Sequence, residues 1–259
     1  MTDLDTILAQ LDEEPWNADD LIEPLSAAQK KALHAELLKR AKSAPTSSIV
    51  CGLAQFPDDK SVSALEAVLR MKDRGGVHAE VPSALSDIIE AGNKKALAPL
   101  QKLLDHKDPS VVREAIEALP ESRETTKLVL ERFDVFTKTN DDLVVLNAVE
   151  KLEPELADDD DVRDAFVRNW DFALRKKHNT LMASNAIFDA LIEHRSDDPK
   201  AREAFAAAAA HKAEYAQVRG YAALALSGVD VATNKAALKK LKLQDISSRS
   251  LRSSALKEL

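Results

Sequence analysis

Residues 94–121 indicate the fold most directly, and they read KKALAPLQKLLDHKDPSVVREAIEALPE. Leucines recur at helical spacing in the first half of this stretch, and valine, alanine and leucine recur at the same spacing in the second half. Between the two runs, Asp108 supplies an N-cap and Pro109 takes the first position of a second helix. Two helices this short cannot bury both apolar faces against each other. The stretch therefore predicts one hairpin of a helical repeat, which needs copies of itself as neighbours.

The same hairpin recurs along the chain. The first apolar residue of each predicted second helix serves as an anchor, and the anchors are Ile49, Val81, Val111, Val144, Met182, Val218 and Leu251. By subtraction, successive anchors are separated by 32, 30, 33, 38, 36 and 33 residues, which is the range of helical solenoids. The residue four positions after each anchor is apolar in every copy. This period predicts a single array over residues 26–259, preceded by a capping segment, residues 1–25, that covers the first apolar face.

Two runs carry a resemblance to a known family, namely DHKDPSVVREAIEAL at residues 105–119 and VRGYAALALSG at residues 218–228. They resemble HEAT repeats, whose second helix typically begins with Val-Arg and continues with spaced Ala, Ala and Leu. Pro99 is similar to the proline that is common in the first helix of that family. The resemblance implies an all-α, right-handed α-solenoid of the armadillo-like kind, with about six to seven antiparallel helix pairs. It also implies a scaffold or adaptor, because enzymes are a minority among such families.

Composition and charge disfavour several other classes of protein. The chain has 259 residues, of which 4% are aromatic and 31% are charged, and its formal net charge is −8. Because nucleic-acid binding depends on cationic neutralisation, an acidic chain of this kind is not expected to bind nucleic acid over its whole surface. A single cysteine, Cys51, excludes an intrachain disulfide and indicates a reducing compartment. With no signal peptide and no apolar run near the roughly 20 residues of a membrane span, we expect a cytoplasmic protein without a membrane segment.

The sequence offers no constellation for catalysis. It contains no GxSxG, Walker or dinucleotide glycine pattern, and it lacks the His-Glu dipeptides of HEAT-like di-iron hydroxylases. Cys51 has no histidine nearby in sequence and is interpreted as an inert thiol. The four aspartates at residues 158–161 are interpreted as the cap of a helix that begins near Val162, and His194 as a structural residue near a helix C-terminus. We therefore predict no catalytic residue, no cofactor and no metal site.

A partner surface is predicted from the outward positions of the second helices. If the anchor and the residues four, seven and eight positions later point inward, then the residues two, six and nine positions later point outward. In the resembling family, the second helices line the concave side of the solenoid. The predicted contact residues are Asp87, Glu90, Arg113, Glu117, Leu146, Glu150, Glu153, Phe188, Leu191 and Leu224. They predict an acidic and apolar groove that binds a basic, amphipathic segment of a partner protein. The alternative for the apolar members is packing against neighbouring second helices.

Two other functions stay open at this point. Residues 231–259 hold seven Lys and Arg residues but only two acids, so the C-terminal helices could contact an anion such as nucleic acid. A solvated helical face explains the same charges. An inhibitor or immunity-type regulator of an enzyme is a further alternative, which residue types do not distinguish from a scaffold.

Overall fold

The structure is a computed structural model that describes residues 4–139, 141–172, 174 and 182–259. Helices and turns account for the ordered elements of these residues, and none of the described residues lies in a strand. Contacts divide the chain into two compact units, Met1–Thr125 and Thr126–Leu259, called unit 1 and unit 2 below. None of the described helices is both long enough and apolar enough to cross a bilayer. The prediction of an all-α fold is confirmed.

Unit 1 is a row of helical hairpins. Its helices are α1 (Leu4–Glu13), α2 (Ala18–Ile22), α3 (Ala27–Arg40), α4 (Ser47–Ala54), α5 (Asp59–Val68), α6 (Val81–Glu90), α7 (Leu97–Lys102) and α8 (Pro109–Ala118). Helices α3, α5 and α7 each contact the helix that follows them, and the second helices α4, α6 and α8 contact one another in that order. Helices α1 and α2 both contact α4, and Ile7, Leu8 and Leu11 of α1 are buried. These are the contacts expected of a segment that covers the first hairpin.

Unit 2 repeats the arrangement. After α9 (Arg123–Phe136), which begins at the end of unit 1, its helices are α10 (Asp142–Leu152), α11 (Asp160–Asn169), α12 (Met182–Arg195), α13 (Pro199–Ala209), α14 (Glu214–Leu226), α15 (Val231–Lys240) and α16 (Ile246–Glu258). The second helices α10, α12, α14 and α16 contact one another in order, and the first helices α11 and α13 also contact. Among the described residues, one second helix thus corresponds to each of the seven predicted anchors. The predicted solenoid of helix pairs is confirmed.

Polar side chains link consecutive hairpins about one period apart. The Ser86 hydroxyl donates a hydrogen bond to the carbonyl oxygen of Ala118 at 2.9 Å, 32 residues later. The Lys95 ammonium contacts the Asp59 carboxylate at 2.5 Å, 36 residues earlier. These separations match the period of the apolar anchors, so the polar contacts also follow the repeat.

The predicted helix caps follow from local chemistry. The Asp108 carboxylate accepts a hydrogen bond from the backbone N–H of Ser110 at 3.0 Å, and Pro109 is the first residue of α8. The Asp159 carboxylate accepts from the backbone N–H groups of Asp161 and Val162, at 2.8 and 3.3 Å. Both caps satisfy N–H groups that have no partner inside the helix, and both predictions are confirmed.

The apolar anchors are buried in most hairpins but not in all. Ile49, Val81, Val111, Val144 and Val218 are buried, whereas Leu251 is half-buried and Met182 is 50% exposed. On α12 the buried series is Ala183, Ile187 and Leu191, which follows the helical spacing one residue later. Met182 is the wrong anchor, because its side chain is half exposed at the start of α12 whereas the neighbouring Ala183 is completely buried.

Candidate functional site

A groove of about 520 Å³ lies along the second helices of unit 1. It is lined by Pro15, Trp16, Ala18, Asp19, Cys51, Ala54, Gln55, Gly76, Ala79, Glu80, Ser83, Ala84, Asp87 and Glu114. Four of these residues carry carboxylates, and none of them is Lys, Arg or His. We call this feature the acidic groove. Its volume lies within the range of sites that enclose small ligands or side chains.

Helical spacing places the groove residues on shared faces. Ser83, Ala84 and Asp87 occupy one face of α6, because residues three and four apart are neighbours on a helix. Cys51 and Gln55 have the same relation at the end of α4. The turn Pro15–Asn17 packs on α4 and leaves the Trp16 side chain 73% exposed at the rim. The groove therefore combines small residues on its walls, acids and one exposed aromatic ring.

Glu80 lies just before α6, in the 3-10 turn Val77–Glu80. Its Oε1 accepts a hydrogen bond from the Ser47 hydroxyl at 2.5 Å. Its Oε2 is buried and has no hydrogen-bond partner among the described residues. A buried acceptor without a partner costs about 1–3 kcal/mol, so one carboxylate oxygen of this groove is left without a donor.

Negative charges in the acidic groove raise the pKa values of neighbouring groups. Partial burial of the Asp87 carboxylate, together with the negative charges of Glu90 and Asp19, raises its pKa above the ordinary value. Burial, with the charges of Glu80 and Asp87, raises the pKa of the Cys51 thiol to about 11. The thiol therefore stays protonated at neutral pH, which agrees with its interpretation as an inert group. A positive charge in the groove would relieve this mutual repulsion.

Residues of α6 and α8 extend the acidic surface beyond the groove. Glu90 follows Asp87 by three residues and Glu117 follows Glu114 by three residues, and both side chains are exposed. Arg113 forms an ion pair with Glu114 at 2.9 Å and so neutralises one of the four acids. Of the ten predicted contact residues, Asp87 lines the groove and Glu90, Arg113 and Glu117 lie beside it.

Comparison with known families gives a match in the part of the chain that forms most of the acidic groove. Residues 31–120 match the family model of HEAT repeats. These residues are HEAT repeats. The match runs from within α3 to the end of α8, so all three second helices of the acidic groove belong to the HEAT repeats. HEAT repeats are commonly protein-interaction scaffolds and are typically non-catalytic. The chain has no significant match among curated proteins or solved structures.

Beyond the HEAT repeats of unit 1, the remaining predicted contact residues lie in unit 2. Leu146 and Glu153 are half-buried, and Glu150 is exposed on α10. Phe188, Leu191 and Leu224 do not lie on an exposed face: the first two are completely buried and Leu224 is 9% exposed. Their predicted outward placement is wrong, and the alternative of packing between second helices describes them.

Each of these three residues is buried for a different reason. The register of α12 starts one residue later than predicted, which turns Leu191 inward. Phe188 is covered by Arg219, whose guanidinium carbon lies 5.3 Å from the ring centroid. The same guanidinium contacts the Asp189 carboxylate at 2.5 Å. Leu224 is buried because its helix, α14, contacts α12, α13, α15 and α16. These contacts leave little of the surface of α14 exposed to solvent.

Sequence reasoning missed one side-chain cluster in unit 2. Glu153, Glu193 and His194 place one ligand atom each within 4.8 Å of one another, and these are residue types that bind divalent cations. Glu153 Oε1 lies 3.5 Å from His194 Nε2. Glu153 lies in the turn after α10, whereas Glu193 and His194 lie at the end of α12. The three residues therefore do not form a short sequence motif that would predict the cluster.

The basic residues of the C-terminal helices are mostly exposed. Lys239, Lys240, Lys242 and Arg249 face solvent, whereas Arg252 donates a hydrogen bond to the carbonyl oxygen of Leu241 at 2.9 Å. This distribution is that of a solvated helical face.

Proposed function

We propose that this protein is a non-catalytic scaffold that binds a basic segment of a partner protein along the second helices of its HEAT repeats in unit 1. The observation that carries the proposal is the acidic groove, whose lining contains four carboxylates and no basic residue. The exposed acids Glu90 and Glu117 continue the same charge along α6 and α8. Complementary charge of this kind selects a cationic partner and speeds its association.

The partner segment is expected to be extended or helical and to carry both basic and apolar residues. Small side chains on the walls, including Ala54, Ala79 and Ala84, leave room for an approaching backbone or side chain. Trp16 offers apolar surface at the rim. Binding energy would come from desolvating this surface, while the carboxylates orient the segment.

The test uses a defined probe, an 18-residue amphipathic peptide of Lys, Arg, Leu and Ala. We expect the full chain to bind this peptide and the E90K/E117K variant to bind it at least about tenfold more weakly, because two attractive charges become repulsive. Fluorescence anisotropy at about 150 mM salt measures both affinities, so that long-range attraction is largely screened.

The matched control is E124K/E131K, which makes the same change in net charge on α9, where both glutamates are exposed. We expect this variant to keep its affinity within about twofold, because neither glutamate lines the acidic groove and exposed charges outside a binding surface contribute little. An equal loss in both variants would show attraction to the whole chain and would reject the groove. Unchanged affinity in E90K/E117K would reject it as well.

A further inference from the structure

The acidic groove holds more negative charge than its surroundings neutralise. Arg113 pairs with Glu114, but no ion pair to Asp19, Glu80 or Asp87 occurs among the described residues. Glu80 Oε2 is buried without a donor. A groove lined by three carboxylates that form no ion pair among the described residues is suited to a ligand that brings several N–H donors and a positive charge.

The shape of the groove adds a second requirement. Trp16 presents an exposed ring, and the lining of the same groove contains small residues such as Ala18 and Ala84. An aromatic face attracts a cation placed over it within about 6 Å of the ring centroid. A ligand that satisfies both requirements therefore has an aliphatic stem and a flat cationic end.

We propose that the acidic groove binds an arginine side chain of the partner segment, with the guanidinium between the carboxylates of Glu80 and Asp87 and against the ring of Trp16. This inference rests on the proposed function and narrows it to one kind of contact. Arginine fits better than lysine because its planar group presents five donors, can bond to two carboxylates at once and stacks on aromatic rings. The lysine ammonium is a strongly hydrated point charge that loses more on leaving water.

The experiment titrates the full chain with small capped amino acids and follows the indole N–H resonance of Trp16 by NMR. N-acetyl-arginine amide represents an arginine within a peptide, and N-acetyl-citrulline amide has the same shape without the charge. We expect a saturable shift with the arginine compound, an affinity at least about fivefold weaker with N-acetyl-lysine amide, and no saturation with the citrulline compound. The W16F variant assigns the resonance, since Trp16 is one of two tryptophans.

Two variants test the carboxylates. E80Q and D87N should each weaken the binding of the arginine compound at least about fivefold, because each removes a charged acceptor. The control D20N removes a charge next to Asp19 but outside the lining, and it should leave the affinity within about twofold. Circular dichroism melting confirms that each variant is folded.

Each remaining outcome decides the proposal. Equal binding of the arginine and citrulline compounds, or an equal loss in D20N and D87N, would overturn it. Tighter binding of free L-arginine than of the capped compound would overturn a peptide source and indicate a free metabolite. If the basic peptide still discriminates E90K/E117K but the arginine compound does not bind, this inference fails and the proposed function stands. If the arginine compound binds and the peptide does not, the proposed function fails.

Discussion

The G220A variant is expected to destabilise unit 2 by about 3 kcal/mol, the cost of overpacking a closely packed site. Gly220 is a residue of α14, and a Cβ atom built there lies 2.1 Å from the backbone nitrogen of Ala209 on α13. It also lies 2.6 Å from the carbonyl oxygen of Phe205. Backbone atoms of a packed helix cannot rotate away as a side chain can. The two helices would therefore have to separate.

The expected change in stability has the opposite sign to the change that helix propensity predicts, since helix propensity favours alanine over glycine. In an exposed helix, replacing glycine with alanine stabilises by about 1 kcal/mol. At Gly220 this gain is smaller than the loss of contact between α13 and α14, where Ala208 and Ala209 are also buried. The alanine-rich run of α13 is thus a surface that lets the two backbones approach closely.

Urea unfolding measures the effect. In a W16F background, Trp170 is the remaining tryptophan, and it contacts Phe188 in unit 2 with a ring-centroid distance of 5.6 Å. Its fluorescence therefore reports on unit 2. Far-UV circular dichroism reports on the helices of both units and is used for the control G52A. This variant adds a methyl group to α4 in unit 1, where the nearest atom is the flexible Leu37 Cδ1 at 3.0 Å. We expect G52A to stay within about 1 kcal/mol of the parent chain. A G220A variant as stable as G52A would contradict the close packing of α13 on α14.

The R163M variant is expected to lose about 3 kcal/mol, because it removes the cation that pairs with the nearly buried carboxylate of Asp198. The Arg163 side chain is 8% exposed, and its guanidinium contacts Asp160 and Asp198 at 2.8 Å and Asp164 at 2.7 Å. Asp198 is itself 12% exposed and caps α13. One arginine of α11 therefore anchors the start of the first helix of the next hairpin.

The network also predicts a dependence on pH. Burial raises the pKa of Asp198, but hydrogen bonds from the N–H groups of Ala201 and Lys200 and from Arg163 outweigh it, so the pKa is lowered. A hydrogen bond from Lys200, with another from Arg163, lowers the pKa of Asp164 despite partial burial. A carboxyl group with a lowered pKa stabilises the fold fully above its unfolded pKa of about 3.9. That stabilisation is lost as the pH falls through the lower, folded value.

The control is R168M on the same helix. Arg168 contacts the Asp134 carboxylate at 3.5 Å, and their side chains are 57% and 53% exposed. An exposed pair of this kind contributes about 0–1 kcal/mol, so R168M should lose no more than that. The difference in unfolding free energy between the parent chain and R163M should also narrow as the pH falls below about 4. Equal losses in R163M and R168M at pH 7 would show that the Asp160, Asp164 and Asp198 contacts contribute little.

Only part of the lining of the acidic groove could be predicted from the outward positions of the second helices. Asp87 was found because it lies six residues after the anchor Val81 on a regular helix. Glu80 was missed because it precedes that anchor, and a rule that starts at the anchor does not reach it. Trp16 was assigned only to the capping segment, although it is the one aromatic residue among residues 1–25. Its position between the acidic pairs Glu13-Glu14 and Asp19-Asp20 was the signal in the sequence that could have found it.

The amino-acid sequence alone determined the helices, their caps and their period. A cap such as Asp108 and an apolar stripe such as Val111 to Ala115 depend on residues within one helical turn, and those neighbours are visible in the chain. Tertiary structure alone decided which side chains are exposed, as the burial of Phe188 under Arg219 shows. It also decided which carboxylates converge, because Asp19 comes from a different segment than Glu80 and Asp87, and the approach of the two segments depends on packing.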